Sequence, residues 1–287
     1  MIEIRQEMLG FNEFIGSWVC RGDENIIVDA GPANSVKRLI ESLISIDVKR
    51  LDYIFLTHIH LDHAGGLSAL LDHFPNTKVI CHKKGIKHLV DPSRLWSGTL
   101  KTIGKLAKSY GPIKPLKREK LIPHTDVHIK DLKIIETPGH AAHHLSFFYK
   151  GTIFSGEAGG NYFRVQGMDY LRPATPARFF LQETLDSVKR LIDLSDQGIC
   201  YAHFGESKHS CRMLNRYQDQ LLRWKKVIKN EITANDSYLV ERCVERLLQE
   251  DPDLRAYKFM DPDTQNRERF FVANSVRGYL GFLKTGY

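Results

Sequence analysis

Residues 57–66 read Thr57-His58-Ile59-His60-Leu61-Asp62-His63-Ala64-Gly65-Gly66, which places three histidines and a carboxylate within six positions. Imidazole nitrogen and carboxylate oxygen are the donors a borderline cation such as Zn²⁺ selects, and a run this dense can serve two ions. One buried structural histidine is common; three crowded beside an Asp have no ordinary core role. The run is read as a metal site. Just upstream, Asp52-Tyr53-Ile54-Phe55-Leu56 is a short apolar, aromatic-rich stretch of the kind that makes a buried strand. The donors therefore fall where a strand ends, and Gly65-Gly66 is expected to let the chain turn freely there.

The run resembles the His-x-His-x-Asp-His signature of the metallo-β-lactamase superfamily, and four other segments resemble that family's remaining landmarks in its order. Ile26-Ile27-Val28-Asp29-Ala30-Gly31-Pro32 is similar to the early strand that ends in a structural Asp. Glu136-Thr137-Pro138-Gly139-His140 resembles the Thr-Pro-Gly-His ligand loop. Phe154-Ser155-Gly156-Glu157 stands where the family has Gly-Asp, and Tyr201-Ala202-His203-Phe204-Gly205 resembles the last His ligand at a strand end. Agreement at five places between residues 29 and 203 is more specific than any one motif. The resemblance implies an α/β protein with an αββα sandwich, two packed sheets flanked by helices and metals at one edge.

By that resemblance, His58, His60 and His140 hold one metal, Asp62, His63 and His203 a second, and Glu157 reaches both. The expected cofactor is two divalent ions, zinc first, with iron or manganese as alternatives. The implied activity is a metal-dependent hydrolase, in which a metal-activated hydroxide attacks an ester, thioester, lactone or phosphoester. Asp62 is the expected catalytic residue, taking up and returning a proton. His140-Ala141-Ala142-His143-His144 resembles the glyoxalase II-like variant of the ligand loop, although His143 replaces its Gly, so His144 is assigned a supporting or core role. Glu157 in place of Asp adds a methylene and changes reach. The lactonase branch carries a Tyr three residues after the bridging carboxylate, where this chain has Gly160. Tyr162, Tyr170 and Arg172 follow Glu157 and are the candidate cleft residues. Two other functions stay open: a mononuclear-iron dioxygenase resembling the persulfide dioxygenases, and a metal-binding protein without catalysis.

The elements that must position these residues alternate. Strands are expected at 14–20, 25–29, 52–57, 78–82, 131–136, 144–149, 151–155 and 199–203, and helices at 36–45 and 67–73. Thr175-Pro176 has the hydroxyl cap and leading Pro of a helix start, followed by an apolar face of Leu181, Leu185, Val188 and Ile192 and an end at Gly198. Residues 1–209 are taken as the metallo-β-lactamase-like domain and 210–287 as a helical C-terminal subdomain. In that tail, Leu214, Tyr217, Leu221, Trp224 and Ile228 repeat at helical spacing. A second helix begins near Asn235-Asp236-Ser237, and Phe270 to Leu283 mark a third. Two roles are open to the tail: shaping the cleft or forming a homodimer interface.

Composition agrees with a folded enzyme: 287 residues, 42% hydrophobic and 26% charged. Charge is uneven. Residues 83–120 hold eleven basic residues against Asp91 and Glu119, a local +9 that exceeds the whole chain's +7, so the remainder is −2. This basic, helical insertion is either a solvated face or a lid whose lysines, Lys101 and Lys105 foremost, attract a small anionic substrate. Lys101, Lys105 and Lys108 would form one ridge on a continuous helix. No nucleic-acid module is legible, so nucleic acid is not the expected partner. No apolar run approaches the ~20 residues that span a bilayer, and the first residues lack a secretory pattern. Five cysteines with no Cys-x-x-Cys pair suggest reduced thiols and a cytoplasmic protein, with Cys81-His82 as buried strand-end filler.

Overall fold

The computed structural model describes residues 1–176, 178–232 and 237–285, and the chain divides into two compact units. One comprises Met1–Ile134 with His143–Lys150, the other Ile135–Ala142 with Gly151–Tyr287.

In the first unit, six strands form a sheet in chain order: Ile2–Glu3, Gly16–Cys20, Ile26–Val28, Tyr53–Phe55, Lys78–Cys81 and Leu121–Pro123. The first two pairings are antiparallel and the remaining three parallel. Parallel strands are covered on both faces, which explains why Ile26-Ile27-Val28 is apolar without alternation and wholly buried. The helix Val36–Ser45 buries Val36, Leu39 and Leu43, one apolar stripe at spacings of three and four. The Leu145–Tyr149 strand packs on the sheet: Phe147 stacks on Phe55 at 4.9 Å, and Tyr149 meets it edge-on at 5.7 Å.

The basic insertion forms three helices rather than one long one: Ile86–Val90, Ser93–Ile103 and Lys105–Tyr110. Gly104, at φ 47°, interrupts the last two. The expected lysine ridge is therefore broken, with Lys101 on one helix and Lys105 and Lys108 on the next. Ser93–Ile103 buries none of its residues, whereas the shorter helix buries Leu106, Ala107 and Tyr110.

In the second unit, Gly198–Tyr201 lies parallel to Thr152–Gly156 and antiparallel to Glu206–Ser207. A register shift falls at Cys200/Tyr201, so that Cys200 pairs with Phe154 but Tyr201 with Gly156. Asn161–Val165 and Met168–Arg172 make a hairpin whose two turn residues, Gln166 and Gly167, both have positive φ. That is the turn whose twist suits a two-residue hairpin. The C-terminal region is helical, with Ser210–Glu231, Leu239–Glu250 and Pro262–Thr285. The expected stripe Leu214, Tyr217, Leu221, Trp224 and Ile228 is fully buried.

Two expectations change, and a third falls outside the described residues. The helix foreseen at Thr175-Pro176 begins at Leu181, because the Thr175 hydroxyl is spent on the Ser275 carbonyl (3.1 Å) instead of capping a first turn. It ends at Ile192, and Gly198 opens the following strand. Asn235 and Asp236, expected to start the second tail helix, lie outside the described residues; that helix runs from Leu239.

Candidate metal centre

The Ile26–Val28 strand leads into Asp29, a buried carboxylate held at φ 63°, a conformation that Asp tolerates better than most side chains. Its oxygens accept from the Thr57 amide (2.8 Å), the Thr57 hydroxyl (2.8 Å) and His63 Nδ1 (2.9 Å). A carboxylate only accepts, so His63 carries its proton on Nδ1 and its lone pair on Nε2, the nitrogen that could bind a metal. The logic extends one residue further. Because the Thr57 hydroxyl gives its proton to Asp29, it accepts from His58 Nδ1 at 3.0 Å, which leaves the His58 lone pair on Nε2. That nitrogen stands 3.0 Å from His60 Nδ1. Two nitrogens on one tetrahedral ion, each at ~2.0–2.1 Å, would be ~3.3 Å apart.

The His63 and His58 ring centroids are 4.1 Å apart, and Asp62 Oδ2 lies 3.6 Å from His63 Nε2. Asp62 occupies the first turn of the short helix Leu61–Ala64 and is half-buried. His144 is buried with its ring 5.1 Å from that of His58, and the Leu145 amide beside it donates to Thr57 O at 2.7 Å. The role expected of Gly65-Gly66 is corrected. Both adopt ordinary right-handed helical angles, φ −57° and −79°. They are glycines because the backbone passes too close for a side chain: a Cβ would stand 2.5 Å from Leu61 O at Gly65 and 2.6 Å from Ala30 O at Gly66.

In the second unit, three donors meet. Glu157 is buried, with Oε2 2.7 Å from His140 Nε2 and Oε1 3.3 Å from His203 Nε2. Burial alone would raise the Glu157 pKa, but the two imidazoles outweigh it and hold the carboxyl well below its ordinary range. The His140 loop is fixed from behind by the helix Leu181–Ile192. Ser187 donates to Pro138 O (2.6 Å), and at Gly139, φ 139°, any Cβ would strike the Thr184 hydroxyl at 2.5 Å. His140 Nδ1 donates to Ala174 O at 2.8 Å, which leaves Nε2 toward Glu157.

The remaining candidates are placed differently. Tyr162 donates to Asp169 (2.8 Å), and burial first, then Asp169, pushes its phenol up to about 12. Tyr170 is fully buried, and Arg172 pairs with buried Glu268 while its guanidinium lies 4.8 Å over the Phe271 ring. Lys101 and Lys105 are exposed. One contact escaped the sequence: buried His82 stacks on His124 at 4.5 Å, across about forty residues of chain that carry no signal linking them. Their Nδ1 atoms accept the Lys84 and Lys83 amides at 3.0 and 3.3 Å, which turns both rings away from ligation through that nitrogen.

The sequence profile of the Metallo-beta-lactamase superfamily matches residues 17–203, a span that contains every donor described above. The chain belongs to that superfamily. The metallo-beta-lactamase fold-containing protein ST1585 of Sulfurisphaera tokodaii is 30% identical over 227 residues, covering 74% of this chain and 83% of that protein. The crystal structure of ST1585 from Sulfolobus tokodaii superposes with a TM-score of 0.69 at 25% identity, covering 97% of both chains. A hydroxyacylglutathione hydrolase of Aeromonas hydrophila is 29% identical over 185 residues, 64% of this chain and 58% of that enzyme. The metallo-beta-lactamase fold, with mixed sheets and a helical C-terminal region, is thereby established. The superfamily binds divalent metals, and among the described residues none of the helices is long and apolar enough to cross a membrane.

Proposed function

We propose that this protein is a hydrolase of esters, thioesters or phosphoesters that works with two divalent ions, zinc foremost. His58, His60 and His140 would hold one ion, Asp62, His63 and His203 the other, and Glu157 both. One observation carries this reading: Glu157 meets one histidine of each set with a different carboxylate oxygen, at 2.7 and 3.3 Å. Two separate acceptors, each near a different imidazole, support a bridging role. The donor chemistry also fits, since it consists of imidazole nitrogen and carboxylate oxygen with no thiolate, a set suited to zinc, iron or manganese.

When bound, such a pair supplies water acidified toward neutrality and positive charge opposite a developing oxyanion. The chain supplies the rest. Asp29 and Thr57 fix the tautomers of His63 and His58, so neither of these rings has to turn before binding. Asp62, half-buried at a helix start, is the group that accepts a proton as water is consumed and returns it to the leaving group. Exposed Lys101 and Lys105 draw anionic substrates by field rather than by contact. Similarity to a hydroxyacylglutathione hydrolase makes thioesters the first class to screen.

The test is metal analysis of protein purified without added metal, followed by assays on ester, thioester and phosphoester panels. Two zinc-like ions with turnover on one panel are expected. A single iron, inertness on every panel and O₂ consumption with a persulfide would replace the hydrolase with a dioxygenase.

A further inference from the structure

The helix Pro262–Thr285 lies beyond the segment matched by the superfamily profile, yet it holds the peptide group that meets His140, a candidate metal ligand of its own unit. His140 Nδ1 donates to Ala174 O at 2.8 Å. That carbonyl belongs to the peptide joining Ala174 to Thr175, and the N–H of the same peptide donates to Ser275 Oγ at 3.4 Å. The Ser275 hydroxyl gives its own proton to Pro173 O at 3.1 Å, and the Thr175 hydroxyl gives its proton to Ser275 O, also at 3.1 Å. Three hydrogen bonds to one serine thus bracket Ala174 from both sides. Ser275 is 2% exposed, and Ala174 and Thr175 are buried with it. The close approach is built into the helix. At Gly278, three residues beyond Ser275, an added Cβ would strike Pro176 O and stand 3.3 Å from the Thr175 hydroxyl. Glu268, seven residues before Ser275, accepts from Arg172 Nε at 2.5 Å, with both side chains buried. Spacings of seven and three put Glu268, Ser275 and Gly278 on one helix face, which follows the chain from Arg172 to Pro176.

We propose that Ser275 is a positioning residue for the metal centre: by holding the peptide between Ala174 and Thr175, it fixes the carbonyl that orients the His140 ring. The proposal rests on the metal-centre reading above. The partner of a ligating histidine's other ring nitrogen sets ring orientation, and losing such a partner costs about 10–100-fold in metal affinity or activity. Ser275 acts on that partner rather than on the ring, so the lower end of the range applies. Hydrogen bonds in series through one peptide also polarise one another, which makes the Ala174 carbonyl a better acceptor for His140.

The experiment compares Ser275→Ala, which removes the hydroxyl and suits a helix, with Tyr279→Phe on the same helix. The Tyr279 hydroxyl is equally buried and donates to Leu221 O at 3.0 Å, so its loss removes one internal hydrogen bond without touching residues 173–175. Zn²⁺ dissociation constants by chelator competition and the visible bands of Co²⁺-loaded protein are read for both. Ser275→Ala is expected to weaken one ion about tenfold and to shift the Co²⁺ bands, while Tyr279→Phe matches wild type in both readouts. Should Ser275→Ala not fold, Thr175→Val cuts the same joint from the other side and is read against the same control. Wild-type affinity and bands in the variant read, or equal weakening by Tyr279→Phe, would overturn the positioning role. Wild-type protein that takes up no ion would instead sink the metal-centre reading, and this role with it.

Discussion

His58 and His63 owe their tautomers to Thr57 and Asp29, so each imidazole arrives with its proton on Nδ1 and its lone pair on Nε2. Replacing His58 or His140 with Ala should therefore remove bound metal and lower Tm together. An ion present at about 100 times its Kd contributes about 2.7 kcal/mol to stability. Elemental analysis with thermal melts checks this, and unchanged metal in both variants refutes the assignment. Glu157→Gln should weaken one ion far more than the other, because an amide keeps one acceptor oxygen and turns an N–H toward the second histidine. Titration with chelator would show one steep and one unchanged step; equal loss of both counts against a bridge. Asp62→Asn should lower kcat by about 10²–10⁴-fold with a much smaller change in Tm, read by steady-state kinetics beside thermal melts. At this scale the sequence was informative about donor types, since His-x-His-x-Asp-His cannot be mistaken for core filler. It was silent about which nitrogen faces inward, since Asp29 lies about thirty residues before its partners and only the fold joins them.

Elements were legible where local pattern decided them. Every expected strand is present to within two residues at either end, and the helices Val36–Ser45 and Leu67–His73 run as expected. Legibility failed where tertiary partners took over a local signal. Thr175 looked like a cap until Ser275 claimed its hydroxyl, and Gly104 cut a helix that apolar spacing alone would continue. Gly65 and Gly66 looked like turn residues, whereas contact with Leu61 O and Ala30 O is what demands them. A paired substitution separates the two meanings of glycine. Gly66→Ala should cost about 1–3 kcal/mol through overpacking against Ala30 O and Val36. Gly98→Ala, on a helix with nothing within 4 Å of the added carbon, should instead add about 0.5–1 kcal/mol. Denaturant melts give both values, and a neutral Gly66→Ala would show that the backbone there can yield.

For the molecule as a whole, the net charge of +7 conceals a basic insertion and a slightly acidic remainder. Its field should speed encounter with anionic substrates until salt screens it, over about 10 Å at 0.1 M. Replacing Lys101 and Lys105 with Ala should then lower kcat/KM for an anionic thioester at low salt and leave it at wild type in high salt. A variant equal to wild type at every ionic strength would reduce the insertion to a solvated surface.

Synthesis proceeds from the N-terminal end, and the two units are not finished together. All residues of the first have been added once Lys150 is joined, with Asp29, Thr57 and the histidine run among them; Glu157 and His203 come later. The donors His58, His60, Asp62 and His63 are thus made before Glu157 and His203. Imidazole follows the Irving–Williams order and prefers copper or zinc, whereas carboxylate oxygen suits harder ions such as manganese. On the two-ion reading proposed above, an ion that imidazole favours would have the first unit's donors to itself until the second unit is made.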